Sequence, residues 1–269
     1  MKIAALQTVA GADLAANLET AHGLLAQAAR QGAELAVLPE YFCLMGQRDG
    51  DKLAAREAFG NGPVQSFLGE TARALGLWIV GGTLPLAADD PDHVRNSALA
   101  FSPQGECVAR YDKIHLFRYD NGREQYDEAR VIAAGSQPQA FTLPSRDGHA
   151  WRVGLSVCYD LRFPELYRTL AADLLLVPSA FTHGTGQAHW EPLLRARAIE
   201  NLAYVAAPAQ GGRHDNGRRT WGHTMVVDPW GVVLAERAED GPGVVLAELA
   251  PARLAEVRAQ LPALAHRVL

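Results

Sequence analysis

The sequence predicts an α/β protein in which β-sheets are covered by helices. Short apolar runs rich in Val, Ile and Leu alternate with segments whose apolar residues recur at helical spacing, and this alternation occurs in both halves of the 269-residue chain. The runs ELAVLPE and DLLLVPS, one in each half, resemble each other and hint at two related halves. No low-complexity segment or linker interrupts the chain, so we expect one domain over residues 1–269.

The first half begins with a predicted strand, KIAALQT, and continues with a helix for which Asp13 is the expected N-cap. The apolar positions of this helix recur at helical spacing and end near Gly32: Leu18, Ala21, Leu25 and Ala28. The strand ELAVLPE closes at Pro39, and a second helix begins at Pro63, since proline is favoured in a first helical turn. The strand LWIVGGTL and a hairpin formed by NSALAFS and CVARYDKI complete this half.

The second half repeats the alternation of strand and helix. The predicted strands are RVGLSV, DLLLVPS and YVAAPAQ, and the helices between them are PELYRTLAA and HWEPLLRARAIEN. A turn signal at Asp228–Gly231 predicts a hairpin within HTMVVDPWGVVLAE. A last strand, GVVLAEL, and a helix after Pro251 close the predicted fold.

Composition excludes several classes of function. The formal net charge of -5 argues against a nucleic-acid partner, which a basic excess would favour. No apolar run approaches the ~20 residues that a membrane span needs, and Gln7 and Thr8 interrupt the N-terminal run too early for a signal peptide. The three cysteines form no CxxC pair, which is typical of a reduced cytoplasmic protein.

Three reactive side chains follow predicted strands. Glu40 comes after LAVLP, Lys113 after VARYD and Cys158 after VGLSV. Taken singly, Glu40 and Lys113 are typical surface charges, and Cys158 is typical of a packed core thiol. Strand ends in α/β folds are nevertheless where catalytic groups are presented, so their shared position favours a common site.

Together the three residues have the chemistry of amide cleavage. A thiol attacks a carbonyl as the thiolate and needs a base, which a carboxylate supplies. The same carboxylate can return the proton to the leaving nitrogen, and an ammonium can hold the oxyanion of the tetrahedral intermediate. A cysteine–histidine pair is the alternative, and His115, two residues from Lys113, is a candidate; no histidine position is marked as the base for Cys158.

Five motifs resemble those of the nitrilase, or carbon–nitrogen hydrolase, superfamily. LPEYF, YDKIHLF and VCYDLRFPELYR are similar to its three catalytic motifs, in their order, and HWEPLLRARAIEN and GHTMVVDPWG extend the resemblance over nearly the whole chain. The resemblance implies a four-layer α-β-β-α sandwich and a Glu–Lys–Cys site that uses no metal and no organic cofactor. It also implies a homodimer or larger homo-oligomer, with the helix after Cys158 at the contact.

The resemblance assigns a role to each catalytic candidate. Glu40 would be the general base and then the general acid, and Cys158 would be the nucleophile that forms a thioester. Lys113 would hold the oxyanion with the backbone N–H of Tyr159. The family also has a second glutamate between the lysine and cysteine motifs, followed by glycine some residues later.

The segment YDEARVIAAG fits the position of that second glutamate. Glu128 is therefore the candidate, with Glu124 as its rival. We expect Glu128 to hold Lys113 and to help place the substrate. Tyr41, beside Glu40, and His183, after a predicted strand, are further candidates for the wall of the substrate pocket.

The C-terminal segment narrows the substrate class. AHWEPLLRARAIENLAYVAAPAQGGRHDNGRRTWGHTMVVDPWG is similar to small amidases that act on deaminated, oxo-acid relatives of glutamine and glutathione. AQGGRH favours deaminated glutathione, which would give 2-oxoglutarate and Cys-Gly. The alternatives are an omega-amidase that acts on 2-oxoglutaramate or 2-oxosuccinamate, and a non-catalytic binding protein that kept the fold.

A substrate with two carboxylates calls for arginine, which binds carboxylates in a bidentate manner. Arg162 follows the nucleophile candidate closely and is the preferred candidate, with pairing to Asp160 or Glu165 as the structural alternative. The other arginines in candidate loops and helices are Arg118, Arg123, Arg195, Arg197 and Arg213. In the loop LMGQRDGDKL, Arg48, Asp49 and Lys52 are predicted to form a solvated lid or edge.

Overall fold

The structure is a computed structural model that describes residues 1–122 and 124–268. Its helices are α1 (Leu14–Arg30), α2 (Gly50–Ala54), α3 (Pro63–Leu75), α4 (Pro164–Leu170), α5 (His183–Asn201) and α6 (Pro251–Gln260). The strands up to the first half's end are β1 (Lys2–Gln7), β2 (Leu35–Val37), β3 (Trp78–Val80), β4 (Leu84–Ala87), β5 (Val94–Phe101), β6 (Cys107–Asp112), β7 (Arg118–Asp120) and β8 (Gln125–Asp127). The remaining strands are β9 (Gln139–Pro144), β10 (Ala150–Leu155), β11 (Leu174–Leu176), β12 (Tyr204–Ala207), β13 (Gly211–Arg213), β14 (Arg219–Trp221), β15 (Thr224–Val227), β16 (Val233–Arg237) and β17 (Gly243–Glu248).

Two large sheets share one pattern of strands. The first has the order β17-β1-β2-β3-β5-β4, with β6 paired to β5, and the second has the order β16-β15-β12-β11-β10-β9. In each sheet, three parallel strands joined by helices lie between an antiparallel strand on one side and antiparallel strands on the other. The strands β2 and β11, which carry the two similar sequence runs, are the middle strands of the two parallel sets.

The side chains of β1 show why four layers form. Ile3 and Ala5 join the core between the two sheets, whereas Ala4 and Leu6 point the other way and pack with α1 and α3. This alternation follows from the two-residue period of a strand and lets one strand serve two cores. On the far side, α4 and α5 pack against the second sheet. The expected α-β-β-α sandwich is therefore confirmed.

Local signals explain the predicted helix ends. The Asp13 side chain accepts a hydrogen bond of 3.1 Å from the N–H of Ala16, as an N-cap should. Pro63, Pro164 and Pro251 each stand in the first turn of a helix, where the missing N–H costs nothing.

The structure differs from the sequence prediction in several segments. The helix expected over 189–201 begins at His183, because Gly186 allows α5 to pack closely on Trp221; a Cβ at Gly186 would lie 2.3 Å from the Trp221 Cβ. The strands β7, β8, β9, β13 and β14 were not predicted; β9 pairs antiparallel with β10, and the others form two small hairpins. A short helix, α2, lies in the loop predicted to be a solvated edge.

The helices can be compared in length and composition with membrane-spanning helices. No helix in residues 1–122 and 124–268 combines the length and the apolar character that a membrane span requires.

Candidate active site

Three strand ends from both sheets converge on one buried cluster. Glu40 lies three residues beyond β2, Lys113 follows β6 directly, and Cys158 lies three residues beyond β10. Their residues are 1%, 1% and 8% exposed. The Lys113 ammonium donates a 2.9 Å hydrogen bond to Oε1 of Glu40. The Cys158 thiol interacts with both Glu40 and Lys113, so the three residues are neighbours, although 118 positions separate Glu40 from Cys158.

The backbone is strained where two of these strands end. Cys158 has a φ of 50° and Tyr41, next to Glu40, has a φ of 58°. Left-handed backbone costs a non-glycine residue roughly 1–2 kcal/mol and is concentrated at functional sites. The N–H of Cys158 donates to the carbonyl of Pro178 at 3.0 Å, and the N–H of Tyr41 donates to Oγ1 of Thr83 at 2.9 Å. These bonds hold each sharp turn against its strain.

The Glu40 carboxylate is held by donors from both halves of the chain. Besides Lys113, its Oε1 accepts a 2.9 Å hydrogen bond from the amide of Asn96 on β5. Its Oε2 accepts a 3.0 Å bond from the N–H of Ala180, beyond β11 in the second sheet. Asn96 was not predicted from the sequence, although it stands as a polar residue near the start of a largely apolar, buried strand.

Glu128, and not Glu124, lies against Lys113. The two carboxylate oxygens of Glu128 are 2.9 and 2.8 Å from the Lys113 nitrogen, and they also accept bonds of 2.7 Å from the Tyr41 hydroxyl and the Phe117 N–H. Glu124 is exposed. Burial alone would raise the pKa of Glu128, but the Lys113 charge and the hydrogen bonds to the carboxylate together outweigh it, and the pKa is lowered.

The lysine and the thiol respond to this setting in different ways. Burial alone would lower the pKa of Lys113, but the charges on Glu128 and Glu40 outweigh burial and raise the pKa, so the ammonium persists. Burial raises the pKa of the Cys158 thiol well above its usual value and the Glu40 charge raises it further, against the opposing Lys113 charge. The resting nucleophile candidate is therefore a neutral thiol beside a carboxylate.

A buried carboxylate behind the thiol was also missed. Asp160 is fully buried and accepts bonds from the Val157 N–H at 2.8 Å and the Tyr111 hydroxyl at 2.7 Å. Its other oxygen accepts from the N–H of His115 at 3.0 Å and contacts His115 Nδ1 at 2.7 Å. His115, the alternative base, also stacks on Phe163 with ring centroids 3.6 Å apart. Its ring thus engages Asp160 and Phe163 and does not line the cavity at Cys158.

The cavity at Cys158 contains some of the predicted substrate-binding residues. Tyr159 and Arg162 line it together with Phe117, Ala180, Phe181, Thr182 and Thr185. Tyr159 follows the thiol inside a 3-10 turn, Cys158–Arg162, whose first N–H groups have no partner within the turn. Tyr41 does not line this cavity; its hydroxyl donates to Glu128, which holds Lys113. His183 does not line this cavity; its ring packs edge-on against Trp221 at 5.0 Å.

Arg162 faces the cavity without a carboxylate partner among the described residues. Its guanidinium lies 5.8 Å from the Tyr159 ring centre and 5.5 Å from that of Phe181, and Nη1 contacts His189 Nδ1 at 3.3 Å. The predicted alternative, pairing with Asp160 or Glu165, is therefore wrong in this structure. A guanidinium in such a position can bind a substrate carboxylate.

The other candidate arginines serve different purposes. Arg197 is buried and donates two bonds, of 3.0 and 2.7 Å, to the carbonyl of Leu161, so it supports the turn that carries Cys158. Arg195 pairs with Glu191 along the exposed face of α5 at 3.2 Å. Arg118 and Arg213 are exposed, and Arg123 lies outside the described residues.

The predicted solvated edge is only partly solvated. The Arg48 side chain is 85% exposed, whereas the Lys52 side chain is 18% exposed. The Lys52 ammonium lies 5.3 Å from the centre of the Tyr41 ring and 3.9 Å from Oδ1 of Asp49. The prediction is therefore wrong for Lys52, because the first turn of α2 directs this side chain inward, toward the site.

Comparison with known proteins gives the class to which this fold and site belong. The sequence profile of the family described as "Carbon-nitrogen hydrolase" matches residues 2–259. The chain therefore belongs to the carbon–nitrogen hydrolase family, as the motif resemblance implied, and its class is that of the hydrolytic amidases.

Particular relatives narrow the class further. The chain is 44% identical over 271 residues to a deaminated glutathione amidase of Synechocystis sp., a match that covers 98% of this chain and 97% of that one. It is 39% identical to the Homo sapiens deaminated glutathione amidase, covering 98% and 81%. Among solved structures, the C. elegans NitFhit protein has a TM-score of 0.90 and 36% identity, covering 99% of this chain and 65% of that chain.

A further solved structure concerns the site itself. It is a glutamate-to-glutamine mutant of an amidase from Nesterenkonia sp., with a TM-score of 0.79 and 30% identity, covering 97% of this chain and 98% of that chain. It carries the product of Michael addition of acrylamide at the active-site cysteine of that enzyme.

Proposed function

We propose that this protein hydrolyses the amide bond of deaminated glutathione and releases 2-oxoglutarate and Cys-Gly. Relatives that carry this activity in their names align over nearly the whole chain. The observation that carries the proposal is the contact of one buried ammonium, Lys113, with both Glu40 and Glu128 beside the Cys158 thiol. This set supplies a base, an oxyanion-binding group and a nucleophile.

Acylation begins from the neutral thiol. Because the pKa of Cys158 is raised, a base must take its proton during attack, and the Glu40 carboxylate is the neighbouring acceptor. The Cys158 Sγ then adds to the amide carbonyl carbon, and the π electrons of the C=O bond move onto its oxygen, which becomes an oxyanion. One N–H of Lys113 goes to Glu40 and a shared N–H can serve both oxygens of Glu128, which leaves the third N–H for the oxyanion. The Tyr159 N–H is the second donor.

Collapse of the intermediate requires the proton that Glu40 now holds. Glu40 gives it to the leaving nitrogen, the C–N bond breaks, and the free amine of Cys-Gly departs while 2-oxoglutarate stays on Cys158 as a thioester. Water then enters, Glu40 takes one of its protons, and the hydroxide adds to the thioester carbonyl. The C–S bond breaks, the sulfur regains the proton from Glu40, and 2-oxoglutarate is released.

The roles of the neighbouring residues follow from their contacts. Asn96 and the Ala180 N–H hold the Glu40 carboxylate in one orientation. Glu128 and Tyr41 keep the Lys113 ammonium charged and fixed, so that its free N–H is aimed before substrate arrives. Arg162 binds the carboxylate of the oxo-acid end.

The test compares substrates and variants in one assay. Release of 2-oxoglutarate, measured with glutamate dehydrogenase and NADH, is followed for deaminated glutathione and for 2-oxoglutaramate. We expect kcat/KM to be at least tenfold higher for deaminated glutathione. A higher value for 2-oxoglutaramate would favour the omega-amidase alternative, and no turnover of either compound would favour the non-catalytic one.

The nucleophile is tested with a matched pair of cysteine variants. Cys158→Ala should lower kcat by about 10⁴-fold or more, as loss of a covalent nucleophile does. Cys107→Ala is the control, because Cys107 is exposed and distant in the fold. Turnover by Cys158→Ala at the rate of the Cys107→Ala control would refute the thioester pathway.

We propose further that the protein is a cytoplasmic homo-oligomer. Its cysteines are free thiols, as expected in a reducing compartment. Trp230 and Val232 are 49% and 51% exposed, and they adjoin Ile199 of α5 through Gly231. Apolar residues grouped in this way favour a contact between copies. Light scattering of the wild type and of Trp230→Lys tests this, and a monomer in both would contradict it.

A further inference from the structure

A second cavity adjoins the catalytic cluster and is lined by three cationic side chains, of which Arg130 is exposed. It has a volume of about 90 Å³, and its lining includes Tyr41, Phe117, Glu128, Lys52 and Arg218. Lys52 comes from α2 and Arg218 from the turn between β13 and β14. Two distant segments therefore direct positive charge into one space beside Glu128.

The Lys52 and Arg218 side chains are held in place, but nearby carboxylates neutralise their charges only weakly. The Arg218 guanidinium lies 4.9 Å from the centre of the Tyr126 ring and its Nη1 lies 3.7 Å from the sulfur of Met45. No carboxylate lies within 4.0 Å of Arg218 among residues 1–122 and 124–268. Lys52 has the half-exposed Asp49 at 3.9 Å, and burial lowers the pKa of its ammonium. A carboxylate arriving from solvent would find two fixed donors.

The acidic residues of the same cavity are already engaged. Glu128 receives bonds from Lys113, Tyr41 and the Phe117 N–H, and Asp127 accepts from the N–H of Ala129. The third, Asp49, lies 3.9 Å from the Lys52 ammonium. None of these three carboxylates lies within 4.0 Å of the Arg218 guanidinium, and only Asp49 lies that close to the Lys52 ammonium.

Phe117 connects this cavity to the nucleophile. It lines both the cavity at Cys158 and the cavity at Lys52, and its ring centre lies 5.3 Å from that of Tyr159 and 5.8 Å from that of Tyr126. A continuous aromatic wall thus runs from the thiol to Arg218. A substrate lying along it would place its two ends in two different cationic environments.

The positions of the catalytic groups determine which end of the substrate occupies each cavity. The acyl chain that remains on Cys158 shares a cavity with Tyr159 and Arg162. The leaving nitrogen must face Glu40, which protonates it. Lys113 joins Glu40 to Glu128, and Glu128 lines the cavity of Lys52 and Arg218. We propose that Lys52 and Arg218 form an anion subsite for the carboxylate on the amine side of the substrate, which in deaminated glutathione is the glycine carboxylate. This inference rests on the proposed function.

The subsite makes a prediction about substrate choice. 2-Oxoglutaramate has the oxo-acid carboxylate but lacks the carboxylate on the amine side. Lys52→Met and Arg218→Gln should therefore lower kcat/KM for deaminated glutathione by tenfold or more beyond any loss for 2-oxoglutaramate, mainly through KM. Arg48→Gln and Arg219→Gln, which remove exposed charges next to the same segments, should leave the ratio of the two substrates unchanged.

A substrate variant tests the same contact without depending on the folding of mutants. The wild type is assayed with deaminated glutathione whose glycine carboxylate is converted to the amide. We expect a loss of kcat/KM of tenfold or more for this compound, and Arg218→Gln should show little further loss with it, since the contact is already absent.

Each result has one meaning. Equal losses for both substrates in Lys52→Met and Arg218→Gln would overturn the subsite, because the cations would then act on the catalytic carboxylates. An unchanged kcat/KM of the wild type with the amidated compound would overturn it as well. If the wild type hydrolyses 2-oxoglutaramate but not deaminated glutathione, the proposed function fails instead.

Discussion

Asp160 is the buried carboxylate behind Cys158, and replacing it with asparagine tests how the turn at the thiol is held. In the wild type one oxygen accepts from the Val157 N–H and the Tyr111 hydroxyl, and the other from two groups of His115. An asparagine keeps one acceptor oxygen and presents an NH₂ group in place of the other. With the oxygen toward His115, the NH₂ group meets the Val157 N–H, donor against donor.

The magnitude follows from the bonds that are lost. Two of the four bonds lose their acceptor altogether, and at about 1.5 kcal/mol for each bond to a charged group the loss is about 3 kcal/mol. For a chain of this size that loss lowers Tm by about 6–12 °C. Activity should fall as well, because the Val157 bond fixes the residue that precedes the strained Cys158. We expect kcat at 25 °C to fall at least tenfold.

The assay is differential scanning calorimetry combined with steady-state kinetics. Asp92→Asn is the control, because Asp92 is exposed and its carboxylate bonds to no other described residue. A Tm within 1 °C of the wild type together with an unchanged kcat would refute the reasoning. A lowered Tm with an unchanged kcat would limit Asp160 to a structural role.

Three further predictions concern the neighbours of the site. Glu128→Gln should lower kcat at least a hundredfold by loosening Lys113, while Glu124→Gln should match the wild type; equal effects would be evidence against the assignment of Glu128. Asn96→Ala removes a bond to the charged Glu40, worth about 1.5–3 kcal/mol, and should reduce kcat about tenfold to a hundredfold with little change in KM; a change confined to KM would contradict this. Burial lowers the pKa of His214 below 6.5, so the unfolded chain takes up a proton that the folded chain does not, and the free energy of unfolding should fall as the pH drops below about 6.5. Urea unfolding at pH 7.5 and 5.5 should show a smaller difference for His214→Gln, and an equal difference would exclude this contribution.

The sequence predicted the core of the site because its signals are local. Glu40, Lys113 and Cys158 each end an apolar run, and a strand end is recognisable within about eight residues. The family, the sandwich and the class of hydrolytic amidase followed from motifs around these residues and are confirmed. The catalytic roles themselves, and the single domain over residues 1–269, stay predictions.

The remaining parts of the site depend on contacts that no local pattern encodes. The bond from Ala180 to Glu40 joins residues 140 positions apart, and it exists only once the two sheets have packed together. Lys52 was assigned to a solvated edge because GQRDGDK is polar, yet α2 turns its side chain beneath Tyr41. The early start of α5 was missed because Gly184 and Gly186 are typical of a loop, whereas the packing on Trp221 needs a small residue at position 186.

Because the bond between Glu40 and Ala180 joins the two halves of the chain, amidase turnover also reports whether those halves have docked. The carboxylate belongs to one sheet and the sulfur to the other, so a chain whose halves are folded but not docked would hold an inert thiol. During refolding, the return of amidase activity should therefore coincide with the joining of the two halves and should lag behind the recovery of helical signal.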